Sequence, residues 1–188
     1  MLGDELLIGE KIRLTALTRD DIPTLAEWHI NLELERLVEA EQISPSSLES
    51  WLDWYEAVRQ KQDFFLFAIR TLSDNQFLGY CNARSIRWVP RCGKIGIGIG
   101  DPAVWGQGYG PDATRVLLRY CFMELGLHRV ELRVIGYNTR AIRCYEKVGF
   151  KHEGALREAV LRDGQYYDIA QMAILRSEWE SRYWPEAR

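Results

Sequence analysis

The sequence predicts a mixed α/β fold built from layers of strands and helices. Three observations predict it: antiparallel strand signals come first, a strand–loop–helix–strand–helix unit occupies the middle, and two further strands follow. With 188 residues, of which 47% are hydrophobic, the chain is long enough to bury one core. We therefore predict a single domain that spans residues 1–188.

A strand and a short helix are predicted at the start of the chain. Residues 11–18 alternate apolar and polar side chains, which is the pattern of a half-buried strand. Thr18 and Asp21 have the spacing of a capping box, which marks the start of a helix. This helix places four residues on one side, namely Ile22, Leu25, Ala26 and His29.

A second helix and three strands are predicted next. The segment 31–42 is acidic and is predicted to be a loose connection. Ser44 and Pro45 then predict a helix start, because proline is favoured at the first helical position. The apolar stripe of this helix is Leu48, Trp51, Leu52, Tyr55 and Val58. Strands separated by turn residues are predicted at 63–70, 77–88 and 94–100.

The second half of the chain alternates helices and strands. A helix is predicted from about Pro111 to Leu125, where Gly126 ends it. The elements that follow are a strand at 128–135, a helix at 139–148, and strands at 150–161 and 165–175. Ser177 and Glu180 have capping-box spacing, so we predict a C-terminal helical segment that begins there.

The strand at 94–100 carries a glycine at every second position. Strand side chains alternate between faces, so its isoleucines point one way and its glycines the other. The isoleucines are Ile95, Ile97 and Ile99, and the glycines are Gly96, Gly98 and Gly100. We predict that the glycine face is bare, which suits a ligand that lies flat against the backbone. A bulge, or a large aromatic side chain packed over the gap, is the alternative.

The loop 104–113, VWGQGYGPDA, has three glycines within five residues just before a helix. Such a loop presents backbone N–H groups to an anion at a helix N-terminus. It is not a Walker loop, because Pro111 and Asp112 follow Gly110. It is also one residue short of the dinucleotide fingerprint. Strand and loop together predict a long, thin ligand with a pyrophosphate at one end; a turn without a ligand is the alternative.

Composition excludes several classes of function. The net charge of −3 and the pI of about 5.7 argue against general nucleic-acid binding. No apolar run has the length of a membrane span, so no membrane partner is expected. The three histidines lack metal-binding spacing, and no metal site is expected. The four cysteines are widely spaced and are read as free thiols, which predicts a cytoplasmic protein.

Two segments, IGIGIGDPAVWGQGYGPDA and HRVELRVIGYNTRAIRCYEKVGF, resemble the GNAT superfamily of N-acetyltransferases, particularly its RimJ/RimL-like branch of ribosomal-protein N-terminal acetyltransferases. The resemblance implies a mixed, mostly antiparallel central sheet flanked by helices. It also implies acetyl-coenzyme A (acetyl-CoA) as cofactor, bound at a central strand–loop–helix site. The implied contacts are Ile97, Gly98, Ile99, Gly106, Gln107, Gly108, Tyr109, Gly110, Pro111, Asn138 and Arg143. Trp105 stands where the family usually has Gln or Arg, and it is predicted to pack in the core or to cover the nucleotide.

The resemblance also implies catalytic residues. Tyr145 occupies the position of the family's general acid, which protonates the departing thiolate; a core aromatic is the alternative reading. Some relatives carry a basic glutamate where this chain has Arg133, so Glu131, on the same strand face, is the substitute candidate. Asp168 is a second candidate base. A covalent intermediate on Cys144 is disfavoured, because no histidine lies nearby in sequence to activate the thiol.

The acceptor is predicted to be an amine on a small molecule or at a protein N-terminus. The acidic segment would attract a cationic amine, with Glu33 and Glu35 as candidate contacts and Glu39 and Glu41 nearby. Tyr167 and Asp168 are further candidate substrate contacts. A homodimer is an open alternative to a monomer. A catalytically silent acyl-CoA-binding module of the same fold is the alternative function.

Overall fold

The computed structural model describes residues 3–41 and 43–184 of the chain. The strands in these ranges are β1 (Ile12–Ala16), β2 (Phe64–Thr71), β3 (Phe77–Arg87), β4 (Cys92–Ile99), β5 (Arg129–Ile135), β6 (Lys151–Arg162) and β7 (Gln165–Leu175). The α-helices are α1 (Ile22–Trp28), α2 (Leu32–Val38), α3 (Leu48–Arg59), α4 (Tyr109–Arg119), α5 (Thr139–Val148) and α6 (Arg176–Tyr183). A π-helical turn, Tyr120–Glu124, extends α4.

The strands form one sheet in the order β1-β2-β3-β4-β5-β7-β6. Neighbouring strands are antiparallel except β4 and β5, which are parallel. These two strands pair only between residues 92–94 and 129–131, although β4 continues to Ile99 and β5 to Ile135. They therefore separate toward their C-terminal ends and leave a V-shaped gap. The predicted mixed, mostly antiparallel sheet flanked by helices is confirmed.

Helices cover both faces of the sheet. The larger core packs α4 and its extension, including Phe122, against sheet residues such as Val130. A second cluster packs α1 and α3 against the opposite face. Ala68 and Ile69 are adjacent on β2 and belong to different clusters, as the alternation of strand side chains requires. The isoleucines of β4 lie with the larger core, so the glycines of β4 face the side of α1 and α3.

Two helix predictions near the acidic segment were wrong. The segment 31–42 is not a loose connection throughout, because it contains α2. Asn31 accepts a hydrogen bond from the backbone N–H of Glu33 at 2.9 Å, and Leu34 is buried, which together hold the helix in place. The following helix begins at Leu48, with Ser47 as its cap, rather than at Ser44 and Pro45.

The C-terminal helix begins two residues earlier than the sequence predicts. Its first turn is stabilised by Glu178, whose carboxylate accepts a hydrogen bond from the backbone N–H of Leu175 at 2.9 Å. Ser177 is therefore not the cap, and Glu180 instead pairs with Arg176. Within the described ranges, no helix combines the length and the apolar character that crossing a membrane requires.

Candidate active site

A large cleft opens where β4 and β5 separate, and its volume is about 660 Å³. Its walls come from α1, α2, the first half of α3, and α5, and its floor comes from β3, β4 and β5. Tyr80, Asn82 and Arg84 reach it from β3, because alternate residues of a strand share one face. Arg133 and Tyr145 reach it from β5 and α5. Polar and titratable side chains therefore line the cleft beside the part of β4 that does not pair with β5.

The glycine face of β4 is only partly bare. A side chain at Gly100 would have its Cβ 1.8 Å from the Trp28 ring, so an aromatic residue covers that position, as the alternative prediction had it. A Cβ at Gly96 would lie 3.3 Å from the amide nitrogen of Asn82, and one at Gly98 would lie 3.8 Å from Tyr80. The glycines thus make room for neighbouring side chains as well as for a ligand.

Two residues of the glycine loop have backbone angles in the left-handed region. Gly106 has φ +78° and Gly108 has φ +90°, and Gly108 is the N-cap of α4. No atom lies within 4 Å of a Cβ built at Gly106. The ammonium of Lys11 donates to the carbonyl of Gln107 at 2.9 Å, which places a cation beside the loop. Open backbone, a helix N-terminus and a nearby cation together suit a pyrophosphate.

A buried carboxylate fixes the loop to the edge of the sheet. Asp112, in the first turn of α4, is only 2% exposed. It accepts hydrogen bonds from the backbone N–H groups of Glu10, Lys11 and Ile12 at 3.2, 2.8 and 3.1 Å. It also contacts Arg115 at 3.1 Å. The sequence indicated Asp112 only as a departure from the Walker pattern and gave no signal of this anchoring role.

Two contacts hold the Trp105 side chain in place outside the deep core. Its indole N–H donates to the carbonyl of Ile99 at 2.9 Å, so it is tied to the end of β4. The guanidinium of Arg140, on α5, lies 3.4 Å from the centroid of the Trp105 ring. The pair connects the loop after β4 with α5, across the wide end of the gap.

Asn138 connects α5 with α2. Its amide oxygen accepts a hydrogen bond from the backbone N–H of Ala141, which caps α5, and its amide nitrogen donates to the carbonyl of Leu37, each at 3.1 Å. Asn138 lines the cleft and is 7% exposed. Arg143 lies exposed on α5.

Tyr145 lines the cleft from α5, with its ring 5.7 Å from that of Phe150. Among the described residues, no group hydrogen bonds to its hydroxyl. Burial raises the pKa of Tyr145, so the phenol is protonated at neutral pH. The neighbouring Cys144 is directed instead at α4, with its sulfur 4.0 Å from the Thr114 hydroxyl. Burial also raises the pKa of the Cys144 thiol, which disfavours a reactive thiolate.

The two base candidates from the sequence lie outside the cleft lining. Glu131 is at the closed end of the gap, where β5 pairs with β4, and its carboxylate is 3.4 Å from the guanidinium of Arg129. Asp168 is exposed and accepts a hydrogen bond from the backbone N–H of Glu158 at 2.9 Å. The geometry therefore brings neither carboxylate to Tyr145.

A histidine–glutamate pair lines the cleft in their place. Nδ1 of His29 contacts the carboxylate of Glu35, and the two side chains are 10% and 16% exposed. The imidazole packs against the ring of Trp51, with 4.4 Å between the ring centroids. The sequence placed His29 on the buried side of α1 but could not show that α2 returns Glu35 to it.

The acidic segment contributes three carboxylates to the cleft lining. Glu35, Glu39 and Glu41 belong to the lining, whereas Glu33 is exposed and lies outside it. Tyr167 also lies outside, with its ring edge-on to Tyr137 and its hydroxyl bonded to Gln165. In the described part of the chain, no cluster of His, Cys, Asp or Glu side chains could hold a metal ion.

Comparisons with known proteins agree on one kind of domain. Residues 11–151 match a family model described as an acetyltransferase (GNAT) domain. The chain is 28% identical over 179 residues to the SPbeta prophage-derived uncharacterized N-acetyltransferase YokL of Bacillus subtilis (strain 168), covering 92% of this chain and 94% of the relative. It is 31% identical over 110 residues to a spermidine N(1)-acetyltransferase of Vibrio cholerae, covering 58% and 63%.

A solved structure resembles nearly the whole fold. The crystal structure of spermidine N-acetyltransferase from Vibrio cholerae, in complex with CoA and spermine, superimposes with a TM-score of 0.81 at 26% identity. The superposition covers 89% of this chain and 97% of that one.

Proposed function

Since this chain belongs to the GNAT family of acetyltransferases, whose cofactor is acetyl-CoA, we propose that it acetylates a cationic primary amine in the cleft between β4 and β5. The observation that carries the choice of acceptor is the set of three carboxylates, Glu35, Glu39 and Glu41, in the cleft lining. Clustered carboxylates raise the local concentration of a cation, an effect that salt weakens. The similar Vibrio enzyme, named for spermidine, supports this choice.

The cofactor site is assigned to the glycine loop and the unpaired edge of β4. Backbone N–H groups of residues 106–110 would hold the pyrophosphate, together with the positive end of α4, and Pro111 follows as a residue without an N–H. The edge of β4 at residues 97–99, which β5 leaves free, offers backbone groups to the amide groups of the pantetheine arm. Asn138 and Arg143 lie on the α5 side of this site. When bound, the cofactor supplies a thioester carbonyl to an amine.

Proton transfers are assigned to two groups in the cleft lining. Tyr145, protonated and free of protein hydrogen bonds among the described residues, donates a proton at the position of the departing sulfur. His29, oriented by Glu35, takes the proton that the attacking nitrogen loses. We do not assign the role of base to Glu131 or Asp168, because neither side chain lines the cleft.

A panel of amines tests the proposed function. Thiol release from acetyl-CoA is measured with spermidine, a basic peptide with a free N-terminus, an amino sugar and an acidic amino acid. We expect the highest kcat/KM with a multiply charged amine, and we expect that value to fall as ionic strength rises. A preference for neutral or acidic amines, with no dependence on salt, would overturn the assignment. The peptide also tests a protein N-terminus, the acceptor that a RimJ/RimL-like relationship implies.

A further inference from the structure

Two buried polar atoms of the cleft lining have no partner in the described part of the protein: the indole nitrogen of Trp51, which is a donor, and the amide oxygen of Asn82, which is an acceptor. Asn82 lies on β3 and is 4% exposed, and its amide oxygen has no hydrogen bond. A buried acceptor left without a donor lowers the stability of the fold. Almost all buried polar groups are paired, so an exception calls for a physical reason.

The fold holds this amide at the deep end of the cleft. Asn82 is paired in register with Gly96, two residues beyond the last contact between β4 and β5 at Lys94. A Cβ at Gly96 would lie 3.3–3.4 Å from the amide atoms, so glycine lets the amide lie against the backbone of β4. The orphaned oxygen is thus located where the gap begins, in the cleft that Tyr145 also lines.

We propose that the amide oxygen of Asn82 accepts a hydrogen bond from the attacking amine of the acceptor and so positions its nitrogen. This inference rests on the proposed function and deepens it by locating the nucleophile. An amide oxygen can only accept, and the acceptor amine brings an N–H donor to the cleft. The other N–H donor expected there belongs to the pantetheine arm, and the experiment below separates the two.

A neutral amide suits this position better than a carboxylate would. The amine must lose its proton before its lone pair can attack, and a carboxylate beside it would favour the ammonium form. Arg84, on the same face of β3, adds a positive charge that opposes the ammonium form. Of the three carboxylates in the lining, Glu35 is in contact with His29, and Glu39 and Glu41 are exposed. The acceptor is therefore attracted as a cation and held as a neutral amine.

The central test replaces Asn82 with leucine, which is similar in size and removes the orphaned oxygen. Gln171→Leu is the matched control, because Gln171 is a half-buried amide on β7 of the same sheet and lies outside the cleft lining. For Asn82→Leu we expect an unchanged or raised Tm, CoA affinity within about twofold by calorimetry, and kcat/KM for the amine about 10- to 100-fold lower. Gln171→Leu is expected to retain wild-type kcat/KM.

A second variant, Asn82→Asp, keeps an oxygen acceptor but adds a charge. Because the carboxylate favours the ammonium form, kcat is expected to fall while KM does not rise, and activity is expected to require a higher pH than in wild type. The proposal is overturned if Asn82→Leu has wild-type kcat/KM, or if its CoA affinity falls as far as kcat/KM does. It is also overturned if Asn82→Leu lowers Tm while the folded fraction stays fully active. Wild-type preference for neutral amines would instead overturn the proposed function, and the Asn82 comparison would then be made with those amines.

Discussion

Alanine at two positions of the glycine loop is expected to have opposite effects. Gly108 has φ +90°, so an L residue there is strained, and Gly108→Ala should lower the free energy of unfolding by about 1–2 kcal/mol. Gly110 lies within α4 and has no positive φ, so Gly110→Ala should raise that free energy by about 0.5–1 kcal/mol. Its new methyl group would meet the sulfur of Cys144 at 3.6 Å, an ordinary contact on the side of α5.

Binding of CoA is expected to distinguish the same two variants. Relaxing the strain at Gly108 turns the following N–H groups away from the pyrophosphate, and one lost charge-assisted hydrogen bond is worth about 1.5–3 kcal/mol. Gly108→Ala should therefore weaken CoA binding about 10- to 100-fold. Gly110→Ala should leave it unchanged, because its methyl group points away from the loop. Chemical denaturation and calorimetry measure the two quantities. Equal losses of CoA affinity in both variants would refute the assignment of the cradle to Gly108.

Three further outcomes are expected of the proposed catalytic groups. Tyr145→Phe should lower kcat about 100-fold with CoA affinity intact; because burial raises the pKa of this phenol, the wild-type enzyme should lose this proton donor only above about pH 10, and an earlier loss would contradict the role. His29→Gln should lower kcat about 10- to 100-fold, whereas His152→Gln, which alters an exposed histidine–glutamate pair outside the cleft, should not; equal effects would rule out His29 as the base. Replacing Glu39 and Glu41 together with glutamine should raise KM for a cationic amine and flatten its dependence on salt, and an unchanged KM would make these carboxylates ordinary surface.

Local patterns predicted most of the strands and helices. The alternation of isoleucine and glycine in β4 correctly divided its two faces, because period two is a property of the strand alone. The sequence did not predict helix α2, which lies in an acidic segment. The helix is stabilised by one cap, Asn31, and by one buried side chain, Leu34. Such a helix depends on tertiary packing more than on propensity.

The candidate site was predictable where a motif lies in one stretch of chain. The sequence names the glycine loop from its own residues and Tyr145 through the family resemblance, because short segments carry both, and the structure places Tyr145 in the cleft lining. The contact of His29 with Glu35 depends on the turn between α1 and α2, and the orphaned oxygen of Asn82 depends on the register of β3 with β4. Neither the His29–Glu35 contact nor the position of the Asn82 oxygen can be inferred from the spacing of residues in the sequence. The same holds for Asp112, whose partners lie about a hundred residues away.

The short contact between β4 and β5 divides the sheet into two antiparallel halves. In the described part of the chain, strand pairing between β1–β4 and β5–β7 is limited to residues 92–94 and 129–131, beside which the backbone N–H groups of His128 and Arg129 donate to the carbonyl of Arg91. Hydrogen-bonded continuity across the middle of the sheet is therefore small. In the proposed cofactor site, a pantetheine arm along the free edge of β4 would take the place of the absent strand pairing, and its binding energy would add to the cohesion of the two halves. On the same proposal, loss of the cofactor would weaken the contact between the two halves, and we expect local opening of the fold to begin at this contact.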